Sequence, residues 1–231
     1  MIKQLLAASV AAVTIAGAAG AATLSGTFTV EAVNATGMSG TASQATLANF
    51  NAAWAGTDLS PGTPSAFVTS TFTYTGALDF DTRGQGLSGT TISQFLDTGT
   101  GSSNEVASFG GLLNSSGSIG SSTATTTFYK FTAVNPQSLD FSIVHDDGVA
   151  VFDDNVLLGA SVGPNSVLPN PTLIDGFDGG TLSFLYVSTN SDPSVFIVDA
   201  TTPVPLPAAG FMLLAGLGGL AALRRKKAPT A

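Results

Sequence analysis

Cysteine is absent from the 231 residues. That removes disulfide staples, thiolate catalysis and zinc–thiolate sites together. Basic residues are also scarce, with seven Lys and Arg against fifteen Asp and Glu. Lys3 stands near the start, Arg224, Arg225, Lys226 and Lys227 crowd the end, and only Arg83 and Lys130 lie between. All the acids fall in that middle stretch, from Glu31 to Asp199, so two basic residues against fifteen acidic ones leave the body at −13, while the ends carry +5. A body of that charge repels phosphate backbones, which excludes nucleic acid as a partner. Arg/Lys clamps for phosphates and oxyanions are equally short of material.

Histidine occurs once, at His145, so any Ser-His-Asp triad must use it. No Gly-x-Ser-x-Gly elbow is present, and no glycine-rich nucleotide loop leads from a strand into a helix. The glutamates are only Glu31 and Glu105. The expectation is a chain that is not an enzyme. A secreted hydrolase built on two carboxylates stays as an alternative, because the aspartates offer many pairs.

What is plentiful is glycine, at 27 residues, and serine plus threonine, at 54. The 44% hydrophobic share argues against disorder, and the length suits one domain with a real core.

The two ends read as addresses. In residues 1–22, Lys3 gives a positive start, an apolar run extends over 5–15, and Ala19-Gly20-Ala21 offers the small residues that signal peptidase requires. Cleavage is expected near Ala21 or Ala22; the alternative is a retained first membrane helix. At the other end, Val204-Pro205-Leu206-Pro207 cannot be helical throughout, because each proline lacks a donor and restricts its predecessor. Residues 208–223 are apolar and uncharged, and at about 1.5 Å per residue a helix there spans roughly 24 Å, slightly less than a hydrocarbon core. Arg224, Arg225, Lys226 and Lys227 then stop transfer and hold the tail in the cytoplasm with the body outside.

Val204, Pro205, Leu206, Pro207 and Ala208, the apolar stretch and the basic end resemble, in order and spacing, the VPLPA variety of the PEP-CTERM sorting signal of Gram-negative bacteria. The resemblance covers residues 204–231. It implies recognition by an exosortase-type membrane protease, single-pass residence in the inner membrane before cleavage near the motif, and delivery to the cell surface or an exopolysaccharide matrix. An uncleaved single-span anchor is the alternative.

Between residues 23 and 202 the dominant period is two. Residues 27–33, 68–74, 125–134, 139–143 and 181–187 alternate polar with apolar, and 195–198 is a short apolar run. These are strand patterns, punctuated by turn formers at 60–62, 83–86, 146–148, 178–180 and 191–193. Leu47, Phe50 and Trp54 recur at helical spacing behind Ser43, read as the N-cap, and residues 91–96 suit one further turn. Residues 99–122 read as a Gly/Ser-rich surface excursion. The fold class is all-β, an antiparallel β-sandwich with one or two short helices, plus an N-terminal signal helix and a C-terminal transmembrane helix. The domains are 1–22, the signal peptide; 23–202, the sandwich; and 203–231, the sorting signal.

One polar cluster stands out, from His145-Asp146-Asp147-Gly148 to Asp153-Asp154-Asn155. Asp-Gly between two strand patterns reads as a tight hairpin. Four residues at about 3.3 Å each separate the two aspartate pairs by about 13 Å, too far to share one ion. A calcium site would combine one pair with another loop, such as Asp175 or Asp178, which makes Asp146, Asp147 and Asp178 the metal candidates and calcium the one cofactor in view. Turn formers and solvated acids are the plainer reading. Asp79, Asp81 and Arg83 open like an EF-hand loop, but Arg83 and Thr90 stand where oxygen ligands belong, so an ordinary turn is expected. Trp54, Tyr74, Tyr129 and Tyr186 could stack on sugars, although aromatics in strand patterns more often pack inside. Asn34 and Asn114 fit the short glycosylation pattern.

Residues 128–186, with a strand, His-Asp-Asp-Gly and then Val-Ala-Val-Phe, resemble protective-antigen-type and flocculin-type β-sandwich domains. That resemblance implies a jelly-roll or protective-antigen-like sandwich, and calcium-dependent carbohydrate binding through Asp146 and Asp147. Phe152-Asp153-Asp154-Asn155 lacks the glycine that such domains place after the strand.

The expected function is an exported surface or matrix protein with a structural or adhesive role. Its expected partners are signal peptidase, an exosortase-type protease and exopolysaccharide. A calcium-dependent carbohydrate-binding module and a secreted hydrolase are the alternatives. Mass spectrometry of the mature protein checks the address reading. A C-terminus near 204–208 is expected, and an intact Arg224-Arg225-Lys226-Lys227 tail would contradict it.

Overall fold

A computed structural model describes residues 21–36, 38, 40–57, 67–84, 92–104, 125–134, 139–165, 171–189 and 193–201. The expected signal segment, the VPLPA motif, the helix at 208–223 and the basic tail lie outside the described residues, as does most of the 99–122 excursion. No helix among the described residues is long and apolar enough to cross a membrane.

The strands are β1 (Ala22–Thr23), β2 (Ser25–Thr36), β3 (Phe67–Ala77), β4 (Asp79–Asp81), β5 (Gly101–Asn104), β6 (Thr125–Val134), β7 (Leu139–Asp146), β8 (Gly148–Asp153), β9 (Val156–Ser161), β10 (Thr172–Phe177), β11 (Thr181–Ser188) and β12 (Val195–Thr201). Two short helices accompany them, α1 (Leu47–Trp54) and α2 (Ile92–Asp97). The strands form two antiparallel sheets. One runs β1-β12-β7-β10, with β4 also pairing β12; the other runs β5-β3-β2-β6-β11-β8-β9. The all-β, antiparallel, helix-poor reading therefore holds.

Alternation explains the layering. In β2, Phe28, Val30 and Ala32 turn inward and are buried, while Thr27 and Thr29 are exposed. In β7, Phe141 and Ile143 do the same, with Asp140, Ser142 and Val144 facing outward. The inward residues of both sheets meet in one core. Its centre is aromatic: Phe196 of one sheet stacks on Tyr186 and Phe131 of the other, with centroids 4.9 and 5.5 Å apart. Phe95 from α2 stacks on Tyr186 at 5.6 Å and so closes the core at one margin. Such ring pairs add specificity to area burial. With no disulfide in the chain, this packing holds the sheets together.

A second cluster lies on the outer face of the seven-stranded sheet. Phe50 and Ala53 of α1 cover Val33, Phe128, Leu185 and Val187 there. Trp54 stacks on Phe50 at 5.8 Å, and Lys130, paired with Glu31 at 3.1 Å, lies 5.7 Å from the Phe50 ring centre. The helix cap differs from expectation. Thr46 accepts from the Asn49 N–H at 3.2 Å, whereas Ser43 ends a separate 3-10 turn and bonds Gly40 O at 2.9 Å. A side-chain oxygen caps only the turn it immediately precedes, and Ser43 stands one turn too early.

Residues 79–84 and 98–101 are joined by hydrogen bonds that their composition does not announce. Asp79 accepts from the Thr100 N–H at 2.7 Å and the Thr100 hydroxyl at 2.6 Å, and Asp81 takes a forked bond from Arg83. Both carboxylates are thus engaged by groups of the fold. Gly101 lets β5 close on β3, since a Cβ there would lie 2.4 Å from Thr75 O.

The three tyrosines are fully buried and cannot stack on a sugar; their rings are needed between the sheets. Burial and the nearby Asp79 charge raise the Tyr74 hydroxyl to about 12, and that hydroxyl donates to Ala77 O at 2.7 Å. Tyr186 donates to Asp146 O at 2.5 Å, while the Tyr129 hydroxyl finds no partner among the described residues. The two are therefore expected to respond oppositely to loss of the hydroxyl. Tyr186→Phe should cost about 1–2 kcal/mol, and Tyr129→Phe should leave stability unchanged or raise it, as read by urea unfolding.

Candidate functional site

His145, Asp146, Asp147 and Gly148 do not form a hairpin. β7 belongs to the five-stranded sheet and β8 to the seven-stranded one, so the chain changes sheets here. Asp146 pairs with Val195 of β12, and Gly148 pairs with Val187 of β11. An Asp-Gly pair reports local turn propensity, whereas sheet membership depends on distant strands, and that is why the hairpin expectation failed. The true two-residue hairpin lies at the other end of β8. Asp154 and Asn155 there adopt φ of 45° and 68° between the paired residues Asp153 and Val156. Both backbones are left-handed, as a mirror-image turn requires.

The crossover is tightly held. The Asp146–Asp147 peptide is cis. The Asp147 carboxylate accepts from the Thr189 N–H at 2.6 Å, and the Asp147 N–H donates to Val187 O at 3.3 Å. Tyr186 secures the Asp146 carbonyl. Gly148 has no room for a side chain, because a Cβ would lie 2.6 Å from both Val162 O and Gly163 O. Beside the crossover, Ser188 and Ser194 share a hydroxyl bond of 2.7 Å, and Thr82 bonds the Ser194 backbone. Asp146 and Asp147 are both buried, at 7% and 3% exposure. Arg83 stands near enough to Asp146 for the carboxylate to raise the guanidinium's pKa, although Asp81 contributes more.

His145 is buried beneath this loop. Its Nδ1 lies 2.5 Å from Asp147 O and its Nε2 lies 2.8 Å from Thr172 Oγ1. A carbonyl can only accept, so Nδ1 carries the proton and Nε2 accepts from Thr172. That resembles a nucleophile–base pair. However, the group orienting the ring is a neutral carbonyl, with no charge to stabilise an imidazolium, and burial holds the ring's pKa below its ordinary value. The pair ties β7 to β10.

The structure separates the three proposed metal ligands. Asp146 and Asp147 lie at the crossover, whereas Asp178 follows β10 and faces Asp153 and Asp154 at the opposite end of β8. The five residue steps from Gly148 to Asp153 span about 16 Å, so no ion bridges these groups. Among the described residues no group of three or more His, Asp or Glu side chains is placed to hold a metal ion. Asp153 is pushed up by desolvation and by its neighbours Asp154 and Asp178. Asn34 is buried and donates to Thr127 Oγ1 at 2.8 Å, so it is no glycosylation acceptor; Asn114 lies outside the described residues. Sequence reasoning missed Tyr186 as a crossover clamp, along with Thr172 and Thr189. No local pattern distinguishes them from their sequence neighbours.

No family model and no curated protein sequence matches the chain. Among solved structures it is similar to the PA14 sugar-binding domain of an RTX adhesin, at 14% identity and a TM-score of 0.41, over 76% of this chain and 88% of that one. It is also similar to the PA14 domain of the MpAFP antifreeze protein, at 11% identity and 0.38, over 80% and 87%. A third likeness is to the GH31 alpha-xylosidase from Xanthomonas citri, at 10% identity and 0.37, over 81% of this chain and 16% of that one.

The buried histidine sets a pH dependence. Below about pH 6.5 the unfolded chain binds a proton that the folded ring resists, so stability falls as pH drops through that value towards the lowered folded pKa. Above it the ring is neutral in both states and contributes no slope. Between pH 7 and 5, His145→Gln should lose up to about 1.4 kcal/mol per pH unit of this slope, measured by urea unfolding of both proteins.

Proposed function

We propose that the chain is an exported surface or extracellular-matrix protein with a structural or adhesive role, and that its body recognises rather than catalyses. Signal peptidase would remove residues 1–22, and an exosortase-type protease would act at 204–208. The address segments support export. The observation that carries the non-catalytic reading is the commitment of the only histidine: both His145 ring nitrogens are used within the fold, and the ring is kept neutral. The −13 body suits solubility and bridging to a matrix through divalent cations.

A second reading is a calcium-dependent carbohydrate-binding module at Asp146 and Asp147. Its support is that the Asp147 carboxylate is held by the Thr189 amide, and the Asp146 carbonyl by the Tyr186 hydroxyl, before any ligand arrives. The two aspartates fit calcium only in part. The ion takes six to eight oxygens, as a rule, and two side chains leave most of the shell to carbonyls, water and sugar hydroxyls. That implies a weak site, in the range of about 0.1–1 mM typical of extracellular modules.

The test is retention of the protein on bacterial exopolysaccharide, with and without about 5 mM calcium, well above such a constant. Retention that survives EDTA and Asp147→Asn supports the structural or adhesive reading alone. Retention lost in both, together with a calcium-induced rise in melting temperature, supports the carbohydrate module. Release of sugar fragments would overturn both in favour of a hydrolase.

A further inference from the structure

The two outer faces of the sandwich differ in charge and cover. On the seven-stranded sheet, α1 covers one part, and the exposed part presents hydroxyls, Thr27, Thr29, Thr71, Thr73 and Thr75, beside the matched pair Glu31–Lys130. Among the described residues, nothing comparable covers the five-stranded sheet. Register shows what its outer face presents. Phe80, Phe141, Ile143, Ile174, Phe196 and Val198 point into the core. Their neighbours therefore point out: Asp79 and Asp81 on β4, Asp199 on β12, Asp140 on β7 and Asp175 on β10, all exposed or half-buried. Arg83, held by Asp81, is the one described cation near these five carboxylates. Leu173 lies among them at 70% exposure, with Ile197 and Val144 half-buried alongside.

The spacing excludes a chelated ion as the main occupant. Asp199 sits one strand across and two residues along from both Asp79 and Asp140, which at about 4.8 Å between strands and 3.3 Å per residue is about 8 Å. A second copy is disfavoured because the body carries −13 and repels itself. A pyranose would want an aromatic ring to stack on, and the phenylalanines of this sheet all point into the core. Separated carboxylates around exposed aliphatic carbon fit side chains that combine a cationic head with an aliphatic stem, which describes lysine and arginine.

We propose that the outer face of the five-stranded sheet docks a basic protein segment, whose Lys and Arg heads meet Asp79, Asp140, Asp175 and Asp199 and whose stems lie along Leu173. This surface is independent of the Asp146–Asp147 crossover and of calcium.

The probe is decalysine, titrated at low salt into the full-length chain and two charge-matched variants. In one, Asp140, Asp175 and Asp199 become Asn; in the control, Asp97, Asp154 and Asp178 do. Asparagine keeps the acceptors that hold Gly176 N–H and Thr23 Oγ1–H, so the face variant should fold, as its melting curve would show. Affinity is expected to fall roughly tenfold in the face variant and to stay within about twofold in the control, with a shallower salt dependence only in the former. EDTA should change neither result, which separates this surface from any calcium site. Equal losses in the two variants would reduce the effect to net charge and overturn the proposal. So would an absence of binding, or a chitosan oligosaccharide binding in preference to decalysine.

Discussion

The chain changes sheets at Asp147 and has that single residue in which to do so. Asp146 is still paired in one sheet and Gly148 is already paired in the other. Both must keep their backbone groups bonded in a buried place, where an orphaned group costs about 1–3 kcal/mol. The solution uses the side chains that remain. The Asp147 carboxylate takes the Thr189 amide, Tyr186 takes the Asp146 carbonyl, and His145 takes the Asp147 carbonyl. Gly148 supplies the room. The features that make this stretch look functional, dense in carboxylates with one histidine, also answer a topological demand. The candidate site and the sheet crossover are therefore one object, and any ligand bound there would meet groups already rigid.

This rigidity depends on the aromatic core beneath. Tyr186 can reach the crossover because its ring is fixed between Phe196 and Phe95. Phe196 belongs to the opposite sheet, so the contact that holds the sheets together also aims the hydroxyl. A chain without cysteine gains cohesion here from stacked rings and buried area.

How much of this was legible depended on range. The strands at 27–33 and 139–143 could be read because one face largely meets water and the other the core, whereas 125–134 and 181–187 keep a partial alternation although α1 helps to bury their outer face. α1 was legible from Leu47, Phe50 and Trp54. β9 and β10 were not. A bulge in each breaks the alternation, and the outward positions carry Leu157 and Leu173 where polar residues would have marked the face. β5 hid in a Gly/Ser tract because Gly101 is chosen for closeness to β3 and has no side chain to pattern. Asp146 and Asp147 were found as a pair, but Asp178 was grouped with them on composition, and only the strand register places it at the far end of β8. The acidic face was invisible in the same way, since its carboxylates come from four strands that are scattered in sequence.

By this geometry the Asp147–Thr189 clamp makes the crossover part of the rigid core. Native-state hydrogen exchange of the Thr189 amide tests it most directly. Protection equal to that of the core amides of Phe184 and Tyr186 is expected, with opening only by global unfolding. Exchange at the rate of an exposed loop amide would contradict it, because the carboxylate would then not be holding the two sheets at their junction.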